Sequence, residues 1–155
     1  MGAQIGPLYV RRSILIQDFP DRVWNEFKTL NRIRPWLGIG QTIHQFDLIL
    51  RSEVKLSVDI DGTARYFGGV IVVLDDEREV TFESQWQSPY QWSVPTFCTI
   101  RLTPLYDATH VEIIHHGFER LGIDAAENLQ GYEEGWTVRH LKALRVIVEA
   151  KDHLT

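Results

Sequence analysis

At 155 residues, with 44% apolar and 24% charged side chains, the chain has the length and balance of one globular domain with a core of its own, and we read residues 1–155 as a single domain. A net charge of −5 gives no basic surface by count and argues against a nucleic-acid partner. The single cysteine, Cys98, excludes an internal disulfide framework and a multi-cysteine metal site, and fits a reducing compartment. Met1 to Leu8 lacks the basic start and apolar core of a secretory signal, and the longest apolar runs, of about five residues, fall far short of the ~20 that a membrane span needs. The expectation is a cytoplasmic protein with no membrane span, no metal and no implied cofactor.

Residues 9–17 are β-branched with polar breaks and predict a strand. Asp18-Phe19-Pro20-Asp21 then starts a helix, with proline where its missing N–H costs nothing and Asp21 at the positive end of the dipole. Val23, Trp24, Phe27 and Leu30 form one apolar face at helical spacing. Ile33 and Trp36 predict a second short helical segment, whose limits Pro35 blurs.

From Phe46 to Phe118 the period changes to two. Val54, Leu56, Val58 and Ile60 alternate with polar residues, and Asp61-Gly62 is a two-residue hairpin signal. Residues 64–74 form the next strand, in which Gly68-Gly69 marks a bulge or sharp bend. Val80, Phe82, Ser84 and Trp86 alternate up to a break at Ser88-Pro89. Cys98, Ile100 and Leu102 alternate, turn at residues 104–108, and are followed by Val111, Ile113 and His115. Such alternation buries one face of an antiparallel sheet, and that face needs a cover.

The cover is predicted at the C-terminus. Asp124-Ala125-Ala126-Glu127 reads as an aspartate variant of a capping box. From there to about Lys151, Leu129, Tyr132, Trp136, His140, Leu141, Leu144, Ile147 and Val148 lie along one helical stripe. Gly131 and Gly135 each weaken that helix by roughly 1 kcal/mol relative to alanine. Gly135 either lets the backbone approach a neighbour or marks a kink or break. The expected architecture is α+β: a curved antiparallel sheet of about six to seven strands around a long C-terminal helix, with two short helices after the first strand.

Several segments carry a family resemblance. Pro20-Asp21-Arg22-Val23-Trp24-Asn25-Glu26-Phe27, then Trp36, resembles the first helical region of the START-like (SRPBCC) superfamily, in the branch named after the activator of heat-shock-protein ATPase. Gly68-Gly69-Val70 with Val80-Thr81-Phe82-Glu83 resembles its central strands. Thr109-His110-Val111 with His115-His116-Gly117-Phe118 resembles its last strand, and Gly135-Trp136 with Leu141 and Leu144 its closing helix. Asp76 and Glu77 follow Asp75 where the family often has a proline. The resemblance implies a helix-grip fold with an internal cavity; its relatives include lipid carriers, hormone receptors, polyketide cyclases and co-chaperone domains, so the fold does not name a chemistry.

Three functions follow as expectations. The first is a binding module holding a small apolar or amphipathic molecule. The candidate ligand-binding residues are Trp36, Arg65, Phe67, Phe82, Ser84, Trp86, Cys98, Ile100, Ile113, His115, Tyr132, Trp136 and His140, set against the plainer possibility that they fill a core. The second is a cyclase-, dehydratase- or hydrolase-type enzyme with His115 as acid–base group, the imidazole titrating near neutrality. The competing role for His115 is a core histidine bonded to a neighbour such as Tyr132 or Ser84. The third is a co-chaperone-like interaction domain. Either Arg65 or Tyr66 faces inward, and an inward arginine suits an anionic ligand group. Trp86, Tyr90, Trp92 and Phe97 form either a lip at the cavity mouth or a surface for a homodimer or protein partner.

Overall fold

The computed structural model describes residues 7–88 and 90–151, apart from the side chains of Ile123 and Asp124. The side chain of the expected capping-box aspartate, Asp124, and the Pro89 strand break therefore lie outside what is described. Seven strands, β1 (Tyr9–Ile16), β2 (Thr42–Gln45), β3 (Glu53–Ile60), β4 (Thr63–Asp75), β5 (Glu79–Trp86), β6 (Thr96–Leu105) and β7 (Ala108–His116), form one antiparallel sheet in the order β1-β7-β6-β5-β4-β3-β2. The first strand thus pairs with the last, Val10 opposite His115 and Ile14 opposite Val111.

The helical region after β1 differs in detail from its predicted outline. Helix α1 (Pro20–Trp24) runs into a 3-10 turn, Asn25–Phe27, and Leu30 belongs to the next helix, α2 (Leu30–Leu37). The break falls at Thr29, whose extended backbone lets its side chain accept from the Arg32 amide at 3.2 Å. That N-cap satisfies an amide the helix cannot, and it overrides the apolar spacing that joined Leu30 to the first helix. β2 is a short edge strand with a bulge between Ile43 and Gln45, too brief and irregular to show a period of two.

A glycine-containing turn and a glycine within β4 behave as their chemistry requires. Asp61 and Gly62, both at positive φ (51° and 79°), close the β3–β4 hairpin. Gly68 has φ 139°, and a Cβ there would stand 2.0 Å from the Val54 carbonyl oxygen. The register shift of β4 against β5 comes slightly later, between Ile71 and Val73.

The C-terminal helical run is bent into two pieces, α3 (Ala125–Gly135) and α4 (Arg139–Lys151). The break follows Gly135, and a Cβ on Gly135 would meet nothing within 4 Å, so close approach to a neighbour is not the reason for that glycine. Helix α4 lies against β1 and α2. Its Leu141, Leu144 and Val148 join Trp24, Phe27, Ile33, Trp36, Ile71, Ile100, Val111 and Ile113 in the buried core. Lys151 at its end is ion-paired with the buried Glu26 carboxylate, which also meets Arg32 at 3.4 Å. Helix α3 packs on the preceding 3-10 segment, Phe118–Asp124, and on β1, where Arg12 donates to the Glu133 carbonyl at 3.1 Å.

Candidate functional site: a pocket beneath α3

The interior is divided. Leu141, Leu144 and Val148 of α4 are buried in the core, whereas under α3 a pocket of about 610 Å³ remains. Its sheet wall comes from alternating positions: Leu56, Val58 and Ile60 on β3, Phe67 on β4, Phe82, Ser84 and Trp86 on β5, Cys98 on β6 and His115 on β7. Cross-strand register places these on one face, since Leu56 stands opposite Phe67, Phe67 opposite Trp86, Phe82 opposite Cys98, and Cys98 opposite His115. The helical wall is Glu127, Asn128, Gly131, Tyr132 and Gly135, spaced to share one face of α3, continued by Trp136, Arg139 and His140 at the bend. Ile39, Gly40 and Gln41 after α2, with Tyr90 and Trp92 from the β5–β6 loop, complete the rim.

His115 is the polar centre of this wall, and its hydrogen bonds fix its state. Trp136 Nε1–H donates to Nδ1 at 3.0 Å. Nε2 lies 2.8 Å from Thr96 Oγ1, and that hydroxyl gives its own proton to the Ser84 carbonyl at 3.1 Å. Thr96 must therefore accept, so His115 is the neutral tautomer with its proton on Nε2. Burial, with a smaller contribution from neighbouring His116, pushes its pKa down to about 3. A second proton on Nδ1 would face the Trp136 N–H. Both ring nitrogens are committed, and the partners are Thr96 and Trp136 rather than Tyr132 or Ser84 side chains.

His140 bridges the bend to the loop after α2: its Nε2 lies 2.8 Å from the Ile39 carbonyl, its Nδ1 3.3 Å from that of Thr137. Burial lowers its pKa, against a smaller upward pull from those two carbonyls. The Cys98 thiol is buried and its pKa is pushed up to about 12, so it remains a small apolar wall group. Tyr132 packs edge-on against His115 at 4.5 Å between ring centroids, and against Phe118 and Trp92 at 5.1 and 5.9 Å.

Of the residues singled out from sequence, Phe67, Phe82, Ser84, Trp86, Cys98, His115, Tyr132, Trp136 and His140 come together around the pocket. Trp36, Ile100 and Ile113 lie instead in the buried core, Trp36 with its indole N–H on the Glu26 carbonyl at 3.0 Å. Arg65 shares the inward face with Val58 but does not line the pocket, its guanidinium 5.3 Å from the ring centroid of the rim residue Tyr90 and its Nε buried without a hydrogen-bond partner. Tyr66 faces the other way, against His44 and Lys55. Tyr90 and Trp92 belong to the rim, and Gln85 clamps the Trp92 backbone with two hydrogen bonds of 3.0 and 3.1 Å. Phe97 does not: it stacks on His116 on the outer face. Among the described residues, no three His, Cys, Asp or Glu side chains cluster to hold a metal, and no helix is long and apolar enough to cross a membrane.

An antiparallel sheet curled over a bent C-terminal helix, with open space between them, is the helix-grip architecture of the START-like (SRPBCC) superfamily. Solved structures share it: a protein from Mesorhizobium loti at 17% identity and TM-score 0.67, covering 92% of this chain and 97% of that one, and a protein from Arthrobacter aurescens at 18% and 0.69, covering 92% and 87%. DynU16, a protein of the dynemicin biosynthetic locus, aligns at 15% identity and TM-score 0.62 over 91% of this chain and 47% of its own. No curated protein matches the sequence. The family described as Activator of Hsp90 ATPase homolog 1-like protein matches residues 19–149, and the chain belongs to it.

Proposed function

We propose that this protein binds a small apolar or amphipathic molecule in the pocket beneath α3. The observation that carries the reading is the pocket of about 610 Å³ left between α3 and the sheet, while Leu141, Leu144 and Val148 of α4 are buried in the core. A folding chain gains by filling such space with side chains. Here two glycines face it from a helix, where each costs roughly 1 kcal/mol and neither is needed for packing. The volume falls within the range of about 300–1,000 Å³ typical of small-molecule sites, and seven tryptophan, tyrosine and phenylalanine side chains line it. The family and the likeness to DynU16, a protein of the dynemicin biosynthetic locus, support the same reading. A cytoplasmic setting agrees with the lone buried thiol, Cys98. An acid–base role for His115 draws no support from its geometry, because neither ring nitrogen is free to meet a ligand.

The test is a small-molecule screen followed by amide and indole NMR shifts of the full chain, repeated on Gly131→Trp. Hydrophobic ligands are expected to shift residues 84, 86, 115, 132 and 136 in the native protein and to lose most of their affinity in the variant. Shifts confined to other surfaces, or unaffected by the variant, would overturn the proposal.

A further inference from the structure

Tyr132 carries a group that the protein leaves unused. Its hydroxyl is buried at the pocket wall and has no hydrogen-bond partner; Ser84 and Trp86 are close but not in bonding geometry. A buried donor without an acceptor costs free energy in the empty protein. The ring cannot turn away to find one, since His115, Phe118 and Trp92 pack it on several sides. A phenylalanine at this position would fill the same space without that cost.

Resting on the binding role proposed above, we infer that the ligand is a planar aromatic molecule bearing an uncharged acceptor oxygen, a ketone, ester or ether, which takes the Tyr132 hydroxyl proton. The aromatic frame is read from the wall: Phe67 and Trp86 pack tilted by 47° with centroids 4.8 Å apart, Trp92 meets Trp86 edge-on at 6.5 Å, and all three line the pocket, so aromatic surface borders the space a flat partner would enter. The lack of charge is read from the interior. Among the described pocket residues the formally charged ones are Glu127 and Arg139, and both are exposed at the rim. His115, in ring contact with Tyr132, is neutral and already bonded through both nitrogens, and Arg65, on the inward face, is held against the Tyr90 ring and does not line the pocket. A carboxylate placed there would be desolvated without a counter-charge. Burial raises the Tyr132 pKa above its ordinary range, which keeps the hydroxyl a donor.

Three bicyclic probes separate these elements: naphthalene, 2-acetylnaphthalene and 2-naphthoate, titrated into native protein and Tyr132→Phe and followed by the tryptophan indole N–H resonances. In the native protein 2-acetylnaphthalene is expected to bind roughly three- to tenfold more tightly than naphthalene, as one net hydrogen bond allows, and 2-naphthoate more weakly than either. In Tyr132→Phe the advantage of the ketone disappears while naphthalene keeps its affinity, and the free variant melts at a higher temperature. Equal binding of ketone and hydrocarbon, persistence of the ketone's advantage in the variant, or tightest binding of the carboxylate would overturn the inference and leave the pocket's role intact. If none of the three probes binds, the small-molecule role falls and the inference with it.

Discussion

Thr96 is a small residue with a large share in the site. Its hydroxyl accepts from His115 and donates to the Ser84 carbonyl, so it sets the tautomer that lets Nδ1 receive the Trp136 indole. Thr96→Val keeps the shape and removes the acceptor, leaving a buried N–H without a partner. The expected loss is about 1–3 kcal/mol in urea unfolding, largely restored by Thr96→Ser. A loss below about 0.5 kcal/mol would mean that the imidazole is held some other way. Strand alternation alone was enough to turn His115 inward. Its partners were not legible, because Thr96 sits at the very start of the neighbouring strand β6, which enters from an irregular loop, and Trp136 reaches it from just beyond a helix whose bend the residue pattern left open.

At the level of elements, the glycines of this chain serve opposite ends, and substitution separates them. At Gly131 a Cβ meets open space and the backbone is helical, so Gly131→Ala is expected to stabilise the protein by up to about 1 kcal/mol, seen as a higher melting temperature. At Gly68 a Cβ would collide with the Val54 carbonyl, on a backbone at φ 139°, so Gly68→Ala is expected to destabilise severely or to prevent folding. A stabilised Gly131→Ala with weakened ligand binding would show that α3 trades helix strength for pocket space. Six of the seven strands and the covering helix were readable from the residue pattern; β2, four residues with a bulge, was not. Which inward residues line a cavity was not: alternation reports the face of a strand and is silent on what covers it. Ile100 and Ile113 share a face with Cys98 and His115, yet they lie in the packed core while the latter pair line the hollow beneath α3.

For the whole molecule, three histidines with lowered pKa values, His115, His116 and His140, make stability depend on pH. The sign follows from linkage. Below about pH 6.5 the unfolded chain takes up protons that these folded imidazoles refuse, so stability falls as pH falls, and for His115 the fall continues toward its folded value of about 3. His115 alone accounts for about 2 kcal/mol between pH 8 and pH 5, a window above the range in which ordinary carboxylates titrate. Urea unfolding at pH 8, 7, 6 and 5 is expected to show this decline, and His115→Gln, weaker at pH 8, is expected to show a shallower one because His116 and His140 remain. The His115 ring resonances of the folded protein should not titrate over the same range. Flat stability from pH 8 to 5, or a ring that takes up a proton near pH 6 without unfolding, would contradict the neutral, doubly bonded imidazole on which the shape of the pocket wall depends.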